Sequence, residues 1–355
     1  MSHDDNTQSH PYRDLPSRAF WRRAVAKADR TQFPGLYQPK VAITPTTRVA
    51  TAGSCFAQHI GNYLGLAGCN VLQAEPAPRG MSDQVASHFG YGTYSARYGN
   101  IYSPRQLRQL LEDVIADHAD PELVWAKDDG FVDAMRPAIE PHGLRTIAEV
   151  LLHRRAHLAR VRQMLPRTDV FIFTLGLTEC WLDRETSRAF PTCPGVVAGT
   201  FDPDKHAFHN FTHAEITDDL TAIHALLRRF NPEMSMLLTV SPVPLTATAT
   251  DAHVLAATTY SKSVLRAAAG EFTAQRTGAD YFPSYEIVTA PASGGPWFAP
   301  NMRSVTTEGV EKVMAIFLSA HGLLELDAPD AAPDTFDEGE DDLVCEDLLL
   351  QAFAK

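Results

Sequence analysis

The sequence has few cysteines and no long apolar run. None of its five cysteines belongs to a CxxC pair and their number is odd, which argues against a disulfide framework. No uninterrupted apolar stretch reaches the length needed to cross a bilayer. Residues 1–6 are polar, and the apolar core of a signal sequence does not follow them. These absences lead us to expect a cytoplasmic protein with reduced thiols and no transmembrane segment.

Common cofactor and metal motifs are also missing. The chain contains neither a GxGxxG nor a P-loop sequence for phosphate binding, and it has no HExxH motif. His206, His209 and His213 lie close together, but their spacing is not that of a standard metal motif. We therefore expect no cofactor and no metal site.

Positive charge is in the minority, with 31 Lys and Arg against 43 Asp and Glu and a net charge of −12. Residues 325–355 hold 11 acids and one base and carry −10 of this charge, which leaves −2 for the rest of the chain. Without a broad basic face, nucleic acid is not an expected partner. The acidic segment is typical of a solubilising appendage or of a docking element for a protein partner.

Short apolar segments alternate with amphipathic ones along most of the chain. Strands are predicted at residues 49–52, 69–72, 169–174, 236–240 and 281–288. Helices are predicted after Cys55, at 144–165, after a capping box at Thr212, at 251–272 and at 307–320. Strands and helices that alternate at these distances predict an α/β fold with a parallel sheet.

The same patterns divide the chain into three parts. Residues 46–322 are expected to form the α/β domain. Residues 1–45 contain several prolines and scattered apolar side chains, which predicts an irregular arm packed on that domain. Residues 323–355 are expected to form a flexible acidic tail.

Ligands bind at the carboxyl ends of strands in open α/β sheets, so the residues after each predicted strand are candidates for a site. Gly53, Ser54 and Cys55 form a turn of small residues from the first strand into a helix. Such a turn offers backbone N–H groups to an oxyanion and places a thiol at the positive end of a helix dipole, which lowers a cysteine pKa. Alternatively, Cys55 is a small buried hydrophobe and Ser54 only caps the helix.

The other strand ends offer further polar groups. Gly176, Thr178 and Glu179 supply a close-approach glycine, a hydroxyl and a carboxylate, and a tight turn with a solvated glutamate is the alternative. Ser241 begins a rigid strand exit that contains two prolines, and Glu286 lies in the block around the last strand end. We regard Ser241 and Glu286 as candidate substrate-binding residues; the alternative for the Ser241 segment is that it only ends the strand.

Five segments of the chain resemble, in order, the blocks of the GSCFA family. They are AGSCFA at 52–57, TLGLTE at 174–179, TVSPV at 239–243, SKSVL at 261–265 and YFPSYE at 281–286. The resemblance spans residues 11–320. The family is similar to the SGNH (GDSL-like) hydrolases, which implies a flavodoxin-like three-layer parallel sheet and ester chemistry on acyl groups, often on glycans.

The resemblance also implies roles for individual residues. Cys55 takes the position of the nucleophile, and Ser54 is the alternative nucleophile. Gly99 is implied as an oxyanion glycine, with Asn100 beside it as a substrate-binding residue. Thr178 stands where SGNH enzymes place an oxyanion asparagine, in a catalytic block that it shares with Gly176 and Glu179.

The sequence departs from the SGNH pattern after its last strand. Where those enzymes have Asp-x-x-His, this chain has Asn301-Met302-Arg303-Ser304, so that acid and base are both missing. His209 is our first candidate for a replacement base, with His253 and His59 as alternatives. Arg303 is expected to bind an anionic group of the substrate, or to pair with a carboxylate of the tail.

We therefore expect an acyl esterase or acyltransferase that acts on a glycan precursor or a small acylated metabolite. The alternative is a non-catalytic ligand- or protein-binding member of the same fold. The missing Asp-x-x-His block favours this alternative, because a fold alone does not establish an activity.

Overall fold

The computed structural model describes residues 10–28 and 33–324. In chain order its strands are β1 (Arg48–Gly53), β2 (Asn70–Val71), β3 (Val124–Lys127), β4 (Gly130–Asp133), β5 (Val170–Leu175), β6 (Glu179–Asp183), β7 (Ala189–Phe190), β8 (His206–Asn210), β9 (Ser235–Val240) and β10 (Ala279–Phe282). Its α-helices are α1 (Ala57–Leu66), α2 (Asp83–His88), α3 (Pro104–Ala116), α4 (Ile147–Met164), α5 (His213–Phe230), α6 (Val254–Ala274), α7 (Ser284–Thr289) and α8 (Thr307–Ala320).

Five parallel strands form the central sheet, in the order β10-β9-β5-β1-β2. When these strands alone are numbered along the chain, the order is 2-1-3-4-5, which is that of flavodoxin-like doubly wound sheets. The order reverses between β1 and β5, and such a reversal opens a crevice at the carboxyl ends of the two strands. The prediction of an α/β fold with a central parallel sheet is confirmed.

Helices cover both faces of the sheet, and β5 shows why a continuous apolar run is required. Every residue of Val170–Leu175 is buried. Phe171 and Phe173 pack in a cluster with α3, α4, α5 and α6, whereas Val170 and Ile172 pack on the opposite face with α1, α7 and α8. A strand buried on both faces cannot alternate with polar residues, and the sequence at β5 does not alternate.

Local signals fix the ends of several elements. The capping box at Thr212 opens α5, because its hydroxyl accepts from the backbone of Glu215 and the Glu215 carboxylate accepts from the backbone of Thr212. The last predicted strand is wrong in its second half. Strand β10 ends at Phe282, Pro283 has no N–H to continue a ladder, and helix α7 begins at Ser284.

Two antiparallel elements have no counterpart in the sequence-based prediction. Strands β3 and β4 form a hairpin. Strands β6, β7 and β8, which follow β5 in the chain and precede α5, form a three-stranded sheet. In the second sheet Glu179 pairs with Asn210, so the first residue of β6 and the last residue of β8 both lie next to the end of β5.

A buried ion network supports α3 and α4. Asp113 accepts a hydrogen bond from Arg154 at 2.7 Å and another from Arg188 at 2.9 Å. Asp113 and Arg154 are only 4% and 6% exposed, so their charges are compensated by each other rather than by water.

Residues 33–43 of the N-terminal arm lie against the sheet face that α8 covers, whereas Trp21, in the preceding described segment, is 74% exposed. Phe33, Tyr37, Val41 and Ile43 are buried there. The Tyr37 hydroxyl donates to the carboxylate of Asp280 at 2.9 Å, which ties the arm to the edge strand β10.

The acidic tail predicted at 323–355 lies outside the described residues from position 325 onward. Within the part of the chain that the structure describes, no helix is long and apolar enough to cross a membrane. The same ranges hold no group of three or more His, Cys, Asp or Glu side chains that could bind a metal ion.

Candidate active site

The candidate site lies where the carboxyl ends of β1 and β5 meet, at the reversal of strand order. Two glycines allow the close approach of the chain there. A Cβ atom on Gly53 would lie 2.5 Å from the carbonyl oxygen of Thr174, and the residue has φ of +147°. A Cβ atom on Gly176 would lie 3.0 Å from the carbonyl oxygen of Tyr102 and 3.2 Å from Cβ of Ser54. The close-approach glycine predicted after β5 therefore has a steric reason.

Cys55 lies in the turn between β1 and α1. The turn is closed by hydrogen bonds from the backbone of Ala57 to Ser54 at 2.8 Å and from Gln58 to Cys55 at 3.3 Å. Cys55 is partly exposed. Ser54 is only 2% exposed, and its Oγ is buried without a hydrogen-bond partner among the described residues. Of the two candidate nucleophiles, Cys55 is the more exposed.

Lys262 brings a buried amine to the same place from helix α6. The side chain is 2% exposed, and its Nζ donates to the carbonyl oxygen of Gly176 at 2.6 Å. Burial lowers the pKa of Lys262 from 10.5 to about 7, a Cys55 thiolate opposes this shift, and the positive charge of Arg303 adds to it. Lys262 is therefore within electrostatic range of both Cys55 and Arg303.

Arg303 is held by a short loop between Phe298 and Val305, which form an isolated antiparallel bridge. The Asn301 side-chain oxygen accepts from the backbone of Arg303 and of Ser304, each at 2.9 Å. The Nε and Nη1 atoms of Arg303 are buried. The loop thus brings a guanidinium into electrostatic range of Lys262.

Thr178 ties three elements together beside these groups. Its backbone N–H donates to Oγ of Ser261 on α6 at 2.9 Å, and its hydroxyl donates to Oδ1 of Asn210 on β8 at 2.6 Å. Both donors of Thr178 are therefore directed at protein acceptors. This geometry makes Thr178 a residue that positions its neighbours.

Residues 99–102 cross the ends of the same two strands. The backbone of Ile101 donates to the carbonyl oxygen of Gly53 at 2.8 Å, and that of Gly176 donates to Tyr102 at 2.9 Å. Asn100 accepts from the Tyr94 hydroxyl and donates to the Tyr102 hydroxyl at 3.0 Å. The structure thus places Gly99 and Asn100 in the segment that adjoins the end of β1.

Three other predicted site residues serve contacts with neighbouring segments. Glu179 is buried and accepts from the Thr248 hydroxyl at 2.7 Å, which fastens the loop after β9. Ser241 is buried, and its hydroxyl accepts from the backbone of Val243 at 3.2 Å. Glu286 accepts from Arg266 and from the Tyr281 hydroxyl, in a cluster at edge strand β10.

The three candidate histidines are found in separate surroundings. His209 has its Nε2 atom 2.8 Å from the carboxylate of Glu215 and its ring against Phe211. His253 is the N-cap of α6, and its Nδ1 accepts from the backbone of Leu255 at 3.2 Å. The His59 ring packs edge-on against Phe56, with centroids 5.4 Å apart.

Sequence reasoning missed Lys262, Ser261 and Asn210 as functional candidates. A signal for Lys262 was present, because it lies on the stripe of α6 that also carries Ser261, Leu265 and Phe272, all of them buried. A lysine on the apolar stripe of an amphipathic helix requires a special partner. Asn210 has no comparable signal, since its position depends on the antiparallel sheet.

The fold and the site define an α/β protein with a thiol, a buried amine and a guanidinium gathered at the topological switch point of a parallel sheet. The chain belongs to the GSCFA family, whose model matches residues 48–317. No match is found among curated proteins.

Proposed function

We propose that this protein is an acyl-transferring enzyme of the SGNH-like type, either an esterase or an O-acyltransferase, with Cys55 as nucleophile and Lys262 as general base. The observation that carries the proposal is the pairing of a partly exposed thiol with a buried amine at the switch point of the sheet. A nucleophile next to a base, at the place where this fold binds ligands, is the usual arrangement for covalent catalysis.

The state of Lys262 suits the role of a base. A pKa of about 7 leaves a large fraction of the side chain as the neutral amine near neutral pH, and a catalytic base works best when its pKa is close to the operating pH. The hydrogen bond to Gly176 holds the amine in place. Lys262 thus replaces the histidine that the SGNH pattern would supply after the last strand.

The proposed reaction has two halves. In the first, Lys262 takes the proton of the Cys55 thiol, the thiolate attacks the acyl carbonyl carbon, and the departing alkoxide takes the proton back from the Lys262 ammonium. The acyl group is then bound to Cys55 as a thioester. In the second half, water or an acceptor hydroxyl gives its proton to Lys262 and attacks the thioester, and the released Cys55 thiolate is protonated by Lys262.

The oxyanion of each tetrahedral intermediate needs hydrogen-bond donors. Backbone N–H groups at Cys55 and in the segment that contains Gly99 are the proposed donors, since both adjoin the end of β1. Thr178 supports them through Ser261 and Asn210. A glycan precursor or a small acylated metabolite remains the proposed substrate.

Acyl-enzyme formation on Cys55 tests the proposal directly. The protein is mixed with a panel of short-chain p-nitrophenyl esters, and release of nitrophenol is followed together with the mass of the Cys55 peptide. We expect a thioester on Cys55 and turnover that is lost in Cys55→Ala. Cys193→Ala is the matched control, because Cys193 is also a partly exposed free cysteine, and this variant should keep full turnover.

Two results would contradict an acyl-transferring enzyme. One is turnover that is equal in the wild type and in folded Cys55→Ala protein. The other is a wild-type protein that forms no thioester on Cys55 with any ester of the panel, which would favour the non-catalytic binding alternative.

A further inference from the structure

We propose that residues 10–28, which we call the basic segment, form a docking surface for the acidic segment at 325–355 of the same chain. The contact is intramolecular, and it is held by ion pairs and by apolar side chains. It involves none of the candidate site residues, so it does not depend on the proposed acyl transfer.

The distribution of charge is the first support. The basic segment contains five Arg and Lys residues and one Asp, a net charge of +4. With six bases and four acids in all, residues 1–32 still carry +2, whereas residues 33–324 carry −4. The acidic segment carries −10. It is therefore repelled by the charge of the body as a whole and attracted by the basic segment.

The basic segment also presents its side chains to solvent. All five of its basic residues are exposed, and none of its residues is buried. Tyr12 and Trp21 are exposed as well, and the Arg23 guanidinium lies over the ring of Phe20, 4.7 Å from its centroid. Exposed aromatic side chains beside arginines are typical of a surface that binds another segment of protein.

The basic segment consists of two short helical turns. They are Ser17–Ala19 and Arg22–Ala26, and their backbone hydrogen bonds join residues of the segment itself, as from Lys27 to Arg22 at 3.1 Å. Helical turns as short as these are not stable in water unless they pack on a partner. A partner that covers Trp21 would therefore stabilise the segment.

The acidic segment leaves the described structure next to the arm that follows the basic segment. The backbone of Ile43 donates to Nδ1 of His321 at 3.3 Å, and the rings of His321 and Tyr37 lie 5.7 Å apart. On its other side, the arm meets the basic segment, because a Cβ atom on Gly35 would lie 3.8 Å from Cδ of Arg18. Both segments thus adjoin residues 33–43.

The chain is long enough to close the remaining distance. The densest group of acids is at 337–342, and it begins 13 residues after Leu324. At about 3.5 Å per extended residue, this length spans up to about 45 Å. A folded body of about 300 residues has a radius of gyration of about 19 Å. Because the two segments belong to one chain, their effective concentration is of the order of mM, at which weak contacts persist.

The composition of the acidic segment matches the exposed side chains. Five acids at 337–342 can pair with guanidinium groups, which bind carboxylates through two parallel hydrogen bonds. The apolar residues at 348–350 and Phe353 follow these acids and can cover Trp21 and Tyr12. A segment that only increased solubility would not need this apolar stretch.

Photo-cross-linking tests the contact in the full chain. Trp21→p-benzoylphenylalanine is irradiated at low salt, and the linked peptides are identified by mass spectrometry. We expect links to peptides within 325–355, and we expect them to disappear at about 1 M salt, where the screening length is about 3 Å. Leu152→p-benzoylphenylalanine is the matched control. Leu152 is 65% exposed, but it lies on α4, which packs on the sheet face opposite to α8.

Charge reversal tests whether the contact is specific to the basic segment. Three exposed arginines of this segment are reversed together by Arg18→Glu, Arg22→Glu and Arg23→Glu. We expect the yield of the link from position 21 to fall at least about tenfold, since each ion pair is replaced by a repulsion. The matched control reverses three exposed arginines in and just after α4, with Arg155→Glu, Arg160→Glu and Arg167→Glu. It should keep the yield.

The opposite reversal should restore the contact. The five acids at 337–342 are changed in the background of the reversed basic segment, by Asp337→Lys, Glu338→Lys, Glu340→Lys, Asp341→Lys and Asp342→Lys. We expect the link to return, because the signs of the two segments are then exchanged. A link that does not return would show that these charges do not hold the contact, and would overturn the proposal.

Two further outcomes would also overturn it. In a mixture of isotope-labelled and unlabelled chains, linked peptides of mixed mass would assign the contact to a second copy instead of the same chain. A folded protein that gives no link from position 21 to residues 325–355 at low salt would leave the basic segment to an external anionic partner.

Discussion

Lys262 donates from Nζ to the carbonyl oxygen of Gly176 at 2.6 Å, which joins the middle of α6 to the end of β5. The bond fixes a buried amine near the turn that contains Cys55, because Gly176 itself lies against Ser54 of that turn. It also gives the amine a polar partner in either protonation state, since a neutral amine still has N–H groups to donate. The effects expected for substitutions of Lys262 and Arg303 on turnover depend on this arrangement.

Loss of the amine should remove most of the ester turnover. Lys262→Met is expected to lower kcat/KM for a p-nitrophenyl ester by about 10²–10³-fold, since a positioned base contributes about 10²–10⁴-fold to proton transfer. His209→Gln is the matched variant, because His209 is the base that the sequence favours. We expect it to stay within about threefold of wild type. The reverse pattern would assign the base to His209.

The pH profile of turnover should report the charge on Lys262. The base must be neutral to accept a proton, and its pKa is lowered to about 7, so kcat/KM is expected to fall as pH drops through about 7. Arg303→Gln removes a charge that lowers this pKa, so the acid limb should move to higher pH. Measuring kcat/KM against pH with a neutral ester, for the wild type and for Arg303→Gln, checks the direction of this shift. An acid limb that lies at the same pH in Arg303→Gln and in the wild type would show that the charge of Arg303 does not lower the pKa of Lys262.

The glycine at the end of β1 should be essential for stability. Gly53→Ala places a Cβ atom 2.5 Å from Thr174 in a conformation that disfavours side chains, and we expect a loss of about 2–4 kcal/mol in the free energy of unfolding. Gly65→Ala is the control, because a Cβ atom there meets nothing within 4 Å and alanine favours a helix. Its expected gain is about 0.5 kcal/mol. Urea denaturation measures both, and equal effects would contradict the steric argument.

The buried ion network should behave differently from a surface ion pair. Asp113→Asn removes the carboxylate partner of Arg188 and leaves Arg154 with only its longer contact to Asp133 at 3.5 Å, and we expect a loss of about 3–5 kcal/mol. Its neighbour Glu112 forms an exposed pair with Arg108, and Glu112→Gln should cost less than about 0.5 kcal/mol. Thermal and urea unfolding of the two variants give the comparison. Similar losses would show that Asp113 is effectively solvated.

The parallel sheet could be predicted from the sequence because its strands are short, apolar and separated by amphipathic helices. Strand β5 is the clearest case, since burial on both faces favours a continuous apolar run, and Thr174 is the one polar residue in VFIFTL. The β6–β8 sheet could not be predicted in the same way. Trp181 and Phe208 face each other across its strands while polar residues are interspersed, and no short-range turn signal fixes their pairing.

The candidate site shows the same division. Cys55 could be identified because a small-residue turn after a strand is a local pattern, and Gly176 because a glycine after a strand is one too. Lys262 could not be identified in this way, because its place in the site depends on a contact between segments that are far apart in the chain. Its position depends on the carbonyl group of Gly176 just after β5, and a sequence pattern does not record which carbonyl a buried lysine will meet.

The distance along the chain between Cys55 and Lys262 has a consequence for biosynthesis. About 200 residues separate them, and the strands that bring them together pair only through crossovers of long sequence separation, which form slowly. A chain that emerges from the ribosome carries its thiol long before its amine. In the proposed mechanism, the cysteine therefore has no base beside it while the chain is incomplete, and the proposed pair of thiol and amine is assembled only when the last third of the domain has docked.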